Sequence, residues 1–390
     1  MRFPEFYEEW DKSIIENHFD LYSGNTPSRL DKENFIGDVN WITSGELKEH
    51  YIGDTKEHIS ETVANENNLK VLPVGTFVIA IYGLEAEGVR GTGSITTRKS
   101  TISQACMAFT PIGKISNEFL YSWYKKHGNV IGTKYAQGTK QQNLSYDIIA
   151  KFPIHYPSKQ EQEKLNKFIT LLDNRISTQS RAIEKLQSLM EGLMKAHYKK
   201  SPKTIVRIKE LGEYFTVMNL SKNDLDDIGI PCVLYGELFT TYHCTISKVK
   251  SKTSVSTGLT LSQNNDLLFP SSTTVDAVSL IAPSAITVEG VVLGGDMFGI
   301  HINENQNNVY LSFLFNYILK WKLAQYAQGS TIIHLHYNDI QNVRIEVPSL
   351  KSQLQFVELA MKLQQKIEYE NRMLTDLHVL KTYLLQHMFI

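Results

Sequence analysis

Cysteine pairs, long apolar runs and an excess of either charge are all missing from this chain, and each absence removes a class of protein. Cys106, Cys232 and Cys244 are the three cysteines in 390 residues, far apart and with no CxxC pair. They offer no zinc framework and suit a reducing cytoplasm. No apolar run approaches the ~20 residues of a membrane span, so no membrane partner is expected. The opening MRFPEFYEEWDKS is acidic and aromatic and reads as neither signal nor transit peptide. Net charge is −1. Residues 1–157 hold 16 Lys+Arg against 19 Asp+Glu, and residues 201–349 hold 10 against 13. The stretches 158–200 and 350–390 hold 9 against 5 and 5 against 4. A nucleic-acid binder built this way must use local patches, or borrow phosphate neutralisation from partners.

Signatures of catalysis are missing as well. Gly88-Val-Arg-Gly-Thr-Gly-Ser94 looks like a phosphate loop but lacks the following Lys-Ser/Thr, and Gly91-Thr-Gly93 lacks the third glycine of a dinucleotide fingerprint. No Asn-Pro-Pro-Tyr run is present to hold a target base, and no dense carboxylate-plus-lysine nuclease pattern. His334-x-His336 would put two imidazoles on one face of a strand without a third ligand.

What is present is a duplication. Tyr135-Ala-Gln-Gly138 recurs as Tyr326-Ala-Gln-Gly329, 191 residues on. The same offset carries Leu144 to Leu335, Tyr146 to Tyr337, Ile149 to Ile340 and Ile154 to Ile345. It also carries Pro157-Ser158 to Pro348-Ser349, Gln162 to Gln353, and Gly45-Glu46-Leu47 to Gly236-Glu237-Leu238. Each copy opens with short β-like runs broken by Gly, Asn, Ser and Thr, then closes on a long helical pattern. In the first, Leu165, Ile169, Leu172, Ile176, Gln179, Ile183, Leu186, Met190, Leu193 and His197 alternate in steps of four and three. In the second the seam runs through Phe356, Ala360, Leu363, Ile367, Glu370, Leu374, Leu377, Lys381, Leu384 and Met388. Such an a/d seam wants a helical partner, and a helix from Gln160 to Tyr198 would be about 58 Å long. The expected fold is therefore α+β: two β-rich modules in a pseudo-two-fold arrangement, joined by two long antiparallel helices that form a coiled-coil spacer. The other packing, each helix on its own module, stays open.

Two similar modules held apart by a stiff spacer suit a bipartite DNA site, where two short reads need fixed spacing. Several segments then resemble one family. They are Arg2-Phe-Pro-Glu-Phe6 with Trp10, Ser23-Gly-Asn-Thr-Pro-Ser28 and Gly37-Asp-Val-Asn-Trp-Ile-Thr-Ser-Gly-Glu-Leu47. Gln137-Gly-Thr-Lys-Gln-Gln-Asn-Leu144 and Pro157-Ser-Lys-Gln-Glu-Gln162 follow in the first half. Tyr235-Gly-Glu-Leu-Phe239, Gln328-Gly-Ser-Thr-Ile-Ile-His-Leu335 and Pro348–Gln353 follow in the second. In these, and over nearly its whole length, the chain resembles the specificity subunits of Type I restriction-modification systems. The resemblance implies two target recognition domains, at 1–157 and 201–349, each reading half of an asymmetric site in double-stranded DNA. It implies conserved spacer helices, at 158–200 and 350–390, that dock two methyltransferase subunits. It further implies a chain with no catalysis, metal or cofactor of its own. S-adenosylmethionine comes with the methyltransferase subunits, and motor-nuclease subunits join for cleavage. The second module departs from the first, lacking the Gly-x-Thr-Pro-Ser signal and carrying Cys232 where the first has Trp41.

Base edges are read by Arg, Lys, Asn, Gln, Ser, Thr and His on loops or helix ends. In module one the candidates are Asn25, Thr26, Ser28 and Arg29; then Arg90, Thr92, Ser94, Arg98 and Lys99; then Thr139, Lys140, Gln141, Gln142 and Asn143. In module two they are Lys248, Lys250 and Lys252; Ser271, Ser272, Thr273 and Thr274; and Ser330, Thr331, His334 and His336. Each cluster also reads as an ordinary polar loop. Two other functions stay open: a methyltransferase or nuclease in its own right, and a duplicated protein-interaction scaffold without DNA specificity.

Overall fold

Every residue of Phe77–Ala80 is buried, and the period of two sends neighbours to opposite cores. Phe77 and Ile79 join one cluster, Val78 and Ala80 another. A strand covered on both faces reads as a continuous apolar run, which is why this stretch does. The computed structural model describes residues 1–83, 91–135 and 142–389. It divides into two compact units, Met1–Arg181 with Arg372–Ile390, and Ala182–Asn371.

The first unit begins with β1 (Asp11–Ile14), β2 (Phe19–Ser23), β3 (Val39–Ile42), β4 (Tyr51–Ile52), β5 (His58–Ile59) and β6 (Phe77–Ala80). It continues with β7 (Tyr82–Gly83), β8 (Gly93–Thr96), β9 (Ser100–Ile102), β10 (Cys106–Pro111), β11 (Gln142–Asn143) and β12 (Pro153–Tyr156). Its helices are α1 (Glu61–Glu66), α2 (Asn117–Tyr135), α3 (Tyr146–Ala150) and the first part of α4 (Lys159–Lys200). The main sheet has the order β2-β10-β6-β8-β4, with β4 and β8 parallel and the other neighbours antiparallel. Beside it stand the sheet β5-β3-β9 and the ribbons β1-β12 and β7-β11.

The second unit repeats this. Its strands are β13 (Lys203–Arg207), β14 (Gly212–Thr216), β15 (Leu225–Leu234), β16 (Thr245–Ile246), β17 (Ser251–Thr253) and β18 (Asp266–Pro270). Then come β19 (Ser272–Thr273), β20 (Ser284–Ile286), β21 (Val292–Gly294), β22 (Met297–Ile302), β23 (Ile333–His334) and β24 (Arg344–Pro348). Its short helices are α5 (Tyr235–Glu237), α6 (Ala277–Leu280), α7 (Asn308–Leu314), α8 (Lys320–Ala324) and α9 (Tyr337–Ile340). A π-helical turn, Phe315–Leu319, joins α7 to α8, where the first unit keeps one 19-residue helix, α2. The last helix is α10 (Leu350–Met388). The main sheet is β14-β22-β18-β20-β16, the side sheet β17-β15-β21, and the ribbons β13-β24 and β19-β23. Strand for strand, and in the sense of the parallel pairs β16-β20 and β15-β21, the two units share one topology.

The repeated Pro-Ser-x-x-x-Gln has a physical reason. Gln162, 2% exposed, donates from its side chain to Pro157 O and Lys114 O, and accepts from Ser116 N at 3.1 Å. Gln353, 0% exposed, donates to Pro348 O at 2.8 Å and accepts from Asn307 N at 2.9 Å. In each unit a buried amide ties the start of a long helix to its own module and leaves none of its polar atoms unpaired.

Both seams are buried or half-buried at every expected position. In the first unit Leu165 and Ile169 share a core with Leu384 and Met388, with Leu172 packed against it. There Asp173 pairs with Lys381 and Arg175 with Met373, so this part of α4 runs antiparallel to the last part of α10. In the second unit Met190 and Met194 of α4 share a core with Phe356 and Ala360 of α10, and Leu193 and Leu363 pack against it. Ile183 is buried, while Leu186, Ile176, Ile367, Leu374 and Leu377 are half-buried. The helices therefore do both things the sequence left open: they pair, and the ends of the seam also complete module cores containing Phe119 and Phe313.

Candidate nucleic-acid interface

The β19-β23 ribbon sets Ser272 opposite His334 and Thr273 opposite Ile333. Gln328 and His334 exchange backbone hydrogen bonds at 2.9 and 2.7 Å, and Leu335 N donates to Ser271 O at 2.9 Å. Gly329 makes that hairpin possible, since its φ is +121° and a Cβ there would lie 2.0 Å from Ile332 O. Two clusters distant in sequence, Ser271–Thr274 and Ser330–His336, thereby meet on one ribbon. Thr274, Ser330, Thr331 and His336 are exposed, and Thr273 and His334 are half-buried. The rings of His334 and His336 lie nearly parallel, 15° apart with centroids at 5.9 Å, as residues two apart on a strand should. Ser271 and Ser272 are corrections: at 5% and 7% exposure both are buried and present no open side chain to a base edge.

The first unit builds the same ribbon from β7 and β11, pairing Gln142 with Gly83 and Asn143 with Tyr82. Leu144 N donates to Ile81 O at 2.9 Å, the bond that Leu335 makes to Ser271. Asn143 is exposed. Arg90, Thr139, Lys140 and Gln141 lie outside the described residues, as do Ala136, Gln137 and Gly138, and Gln142 is placed by its backbone pairing.

Ser94 is a further correction. It is fully buried, and its hydroxyl donates to Glu49 O at 2.5 Å. Ser284 does the same in the second unit, donating to His243 O, so both serines fasten an edge strand to the main sheet. The glycines beside Ser94 serve packing. Gly91 has φ +72°, and a Cβ on Gly128 of α2 would lie 2.3 Å from its Cα. A Cβ on Gly93 would lie 2.9 Å from the Phe77 ring. Close approach explains these glycines without a phosphate, and Thr92 between them is half-buried.

The remaining clusters sit apart from the ribbons in the hydrogen-bond scheme and face carboxylates. Arg29 makes a two-pronged salt bridge to Glu57 at 2.9 and 3.0 Å, and its guanidinium lies over Phe35 and Trp41. Asn25 accepts from Thr26 N and donates to Asn67 O, while its carbonyl takes the Trp41 indole N–H at 3.2 Å. Thr26 is half-buried, and Ser28 is exposed with its carbonyl held by Asn34. Arg98 lies 3.4 Å from Asp54, and exposed Lys99 shares a cleft with Glu61. Lys248, Lys250 and Lys252 are exposed, the last two around a cleft that also holds Asp226 and Asp227.

Sequence reasoning missed Trp321. It is 73% exposed on α8 between Lys320 and Lys322, and α8 packs on α6, which in turn packs on both strands of the β19-β23 ribbon. Val275 and Ile332, 72% and 50% exposed, belong to the same stretch of chain as the ribbon. The available signal was a tryptophan flanked by lysines in a helix whose core residues are Leu323 and Ala324.

A family model described as the Type I restriction modification DNA specificity domain matches residues 7–188 and again residues 200–378. The chain belongs to this family. The specificity family's two matches fall one on each copy of the duplication. Among curated relatives, the MjaIX specificity subunit of Methanocaldococcus jannaschii is 26% identical over 192 residues, 48% of this chain and 43% of that protein. The HindI specificity subunit of Haemophilus influenzae is 26% identical over 157 residues, 39% of this chain and 32% of that one. The matched stretches thus span less than half the length of either relative. A solved Type I restriction-modification S subunit from M. genitalium matches 98% of this chain and 96% of its own, at TM-score 0.60 and 15% identity. A chain from work on complex assembly and conformational transition of the type I R-M system matches 97% and 96%, at TM-score 0.53 and 14% identity. At such identities the likeness is one of fold. No helix among the described residues is long and apolar enough to cross a membrane.

Proposed function

We propose that this chain is the DNA sequence-recognition subunit of a Type I restriction-modification complex, each module reading one half of a bipartite, asymmetric site. One observation carries the reading: the family's two matches coincide with two units of identical topology, each presenting the same short ribbon with different polar residues. Equal scaffolds with unequal reading surfaces are what an asymmetric double-stranded target requires. In this mechanism Asn143 in one module, and Thr274, Thr331 and His336 in the other, approach base edges, while the long helices fix the spacing and dock two methyltransferase subunits. Those subunits supply S-adenosylmethionine and the methyl transfer, and motor-nuclease subunits supply cleavage; the chain itself is not catalytic. Both modules carry more acid than base, so much of the phosphate neutralisation falls to the partners.

The test is single-molecule methylome sequencing of a host expressing the chain with a methyltransferase subunit. The expected motif has two short defined halves and a fixed gap, and Thr331→Ala with His336→Ala changes one half alone. Soluble, associated proteins that leave no motif would favour the scaffold reading instead.

A further inference from the structure

Strand β4 joins the first unit's main sheet beside a cluster of charge that the reading surface does not use. The His50 side chain is 6% exposed and lies between the rings of Tyr51 and Tyr121, with centroids at 4.1 and 3.9 Å. Its Nδ1 is 2.8 Å from an Asp173 carboxylate oxygen, and its Nε2 is 2.9 Å from a Glu118 oxygen. A neutral imidazole has one N–H and would face one of these carboxylates without a proton between them; the imidazolium satisfies both. Asp173, on α4, also takes Lys381 of α10 at 2.5 Å, and Glu118, on α2, takes the Tyr51 hydroxyl at 3.1 Å. Lys125 of α2 completes the set, donating to Gly91 O at 2.9 Å with its ammonium 5.2 Å from the Tyr121 ring centroid. A single imidazole thus links the sheet edge to α2 and, through Asp173, to both long helices.

We propose that His50 is a positioning residue: clamped between Asp173 and Glu118, it keys the first module onto the long helices and holds in place the surface that reads one half of the DNA site. The second clause rests on the DNA-reading function proposed above. Burial alone would push His50 down, but its bonds to Asp173 and Glu118 outweigh burial and raise it above the ordinary histidine value. Burial likewise works to raise Asp173, yet His50 and Lys381 hold it below the usual carboxylate range. Because the folded His50 is the stronger base, its contribution is full below about pH 6.5 and is lost as pH rises through the folded value, by at most about tenfold per pH unit. Burial brings Lys125 down to about 8, so its titration acts in the opposite direction over that range. A variant at His50 separates the two.

The experiment is hydrogen–deuterium exchange on the full chain from about pH 6 to 9, comparing wild type, His50→Gln and His50→Lys. In wild type, protection factors in β4 and α2 should fall as pH rises relative to His50→Gln, by at most about tenfold per pH unit, since the His50→Gln profile lacks the His50 component. His50→Lys, which keeps a cation across the range, should restore protection and remove that component. Superimposable profiles for wild type and His50→Gln overturn the keying, and so does a His50→Lys chain no better protected than His50→Gln. Host methylomes supply the second readout, with His50→Gln relaxing one half of the motif and sparing the other. Both halves intact overturns the role in reading, even where exchange has changed. A wild-type chain that yields no motif fails the DNA function itself, and the exchange profiles still decide the keying.

Discussion

The edge strand of the main sheet meets a long helix in both units, and the two junctions are built from opposite chemistry. Tyr51 pairs with Ile95 in the first unit as Thr245 pairs with Ala285 in the second, which makes Cys244 the counterpart of His50. On the helices, Asp173 and Gln364 hold equivalent places, 191 residues apart. Where the first unit has His50, Asp173 and Lys381, the second has Gln364 donating to the Thr245 hydroxyl. Ser312 replaces Tyr121 and donates to Cys244 O at 2.7 Å. Burial pushes the Cys244 thiol up to about 12, so it stays neutral. The shared topology asks of this junction that it be filled and its polar atoms paired. It does not ask for charge. An ionic junction differs from a neutral one in how badly it fails when a partner is removed.

Asp173→Ala breaks the comparison hardest. It leaves a buried His50 and a half-buried Lys381 without that carboxylate and should cost the first unit about 3–5 kcal/mol, read by exchange protection or denaturant unfolding. Gln364→Ala removes the neutral bond to Thr245 and an exposed one to Glu368, and should cost the second unit about 1 kcal/mol. Equal losses would dissolve the contrast. Next come the amides the units share: Gln162→Ala and Gln353→Ala should each cost about 1–3 kcal/mol by orphaning buried backbone groups, and their near-equality would sharpen the claim that the junctions alone differ.

Acid should separate the units without any mutation. Asp173 sits below the usual carboxylate range, so its contribution is present above about pH 3.9 and lost as pH falls through its folded value. Asp266, in the second unit, is raised by burial despite its bonds from Gln263 N–H and His301. Its contribution has the reverse sign, full below about pH 3.9 and lost as pH rises through the folded value. Exchange protection should therefore fail first in the first unit on acidification, and simultaneous failure would count against the contrast. The smallest effect belongs to Arg29→Ala, which breaks an exposed pair with Glu57 and should shift stability by about 1 kcal/mol or less.

Much of this was legible in the sequence, for a reason visible in particular residues. One offset ran through Leu144, Gln162 and their counterparts because those residues are buried and hydrogen-bonded alike in both units, the leucines through their backbone N–H and the glutamines through their side chains. The seams were legible because burial in a paired helix leaves a periodic trace at Leu165, Ile169, Phe356 and Ala360. At the junction the same offset would carry His50 to Thr241, whereas strand pairing puts Cys244 there. Loop lengths between strands had drifted, and only hydrogen bonding restores the register. Ser94, Ser271 and Ser272 read as candidates but are buried, because residue type reports polarity and says nothing of what the rest of the chain packs over it.

By itself, then, the sequence determined the duplication, the two long helices and their seams, since each depends on contacts that recur at fixed spacing. Tertiary structure decided the rest. It brought Ser271–Thr274 against Ser330–His336, and gathered His50, Glu118, Asp173 and Lys381 around one imidazole. Side chains more than 300 residues apart in sequence meet there. No periodicity records such a meeting, because the chain between them is constrained by its own cores and not by the charges at its ends.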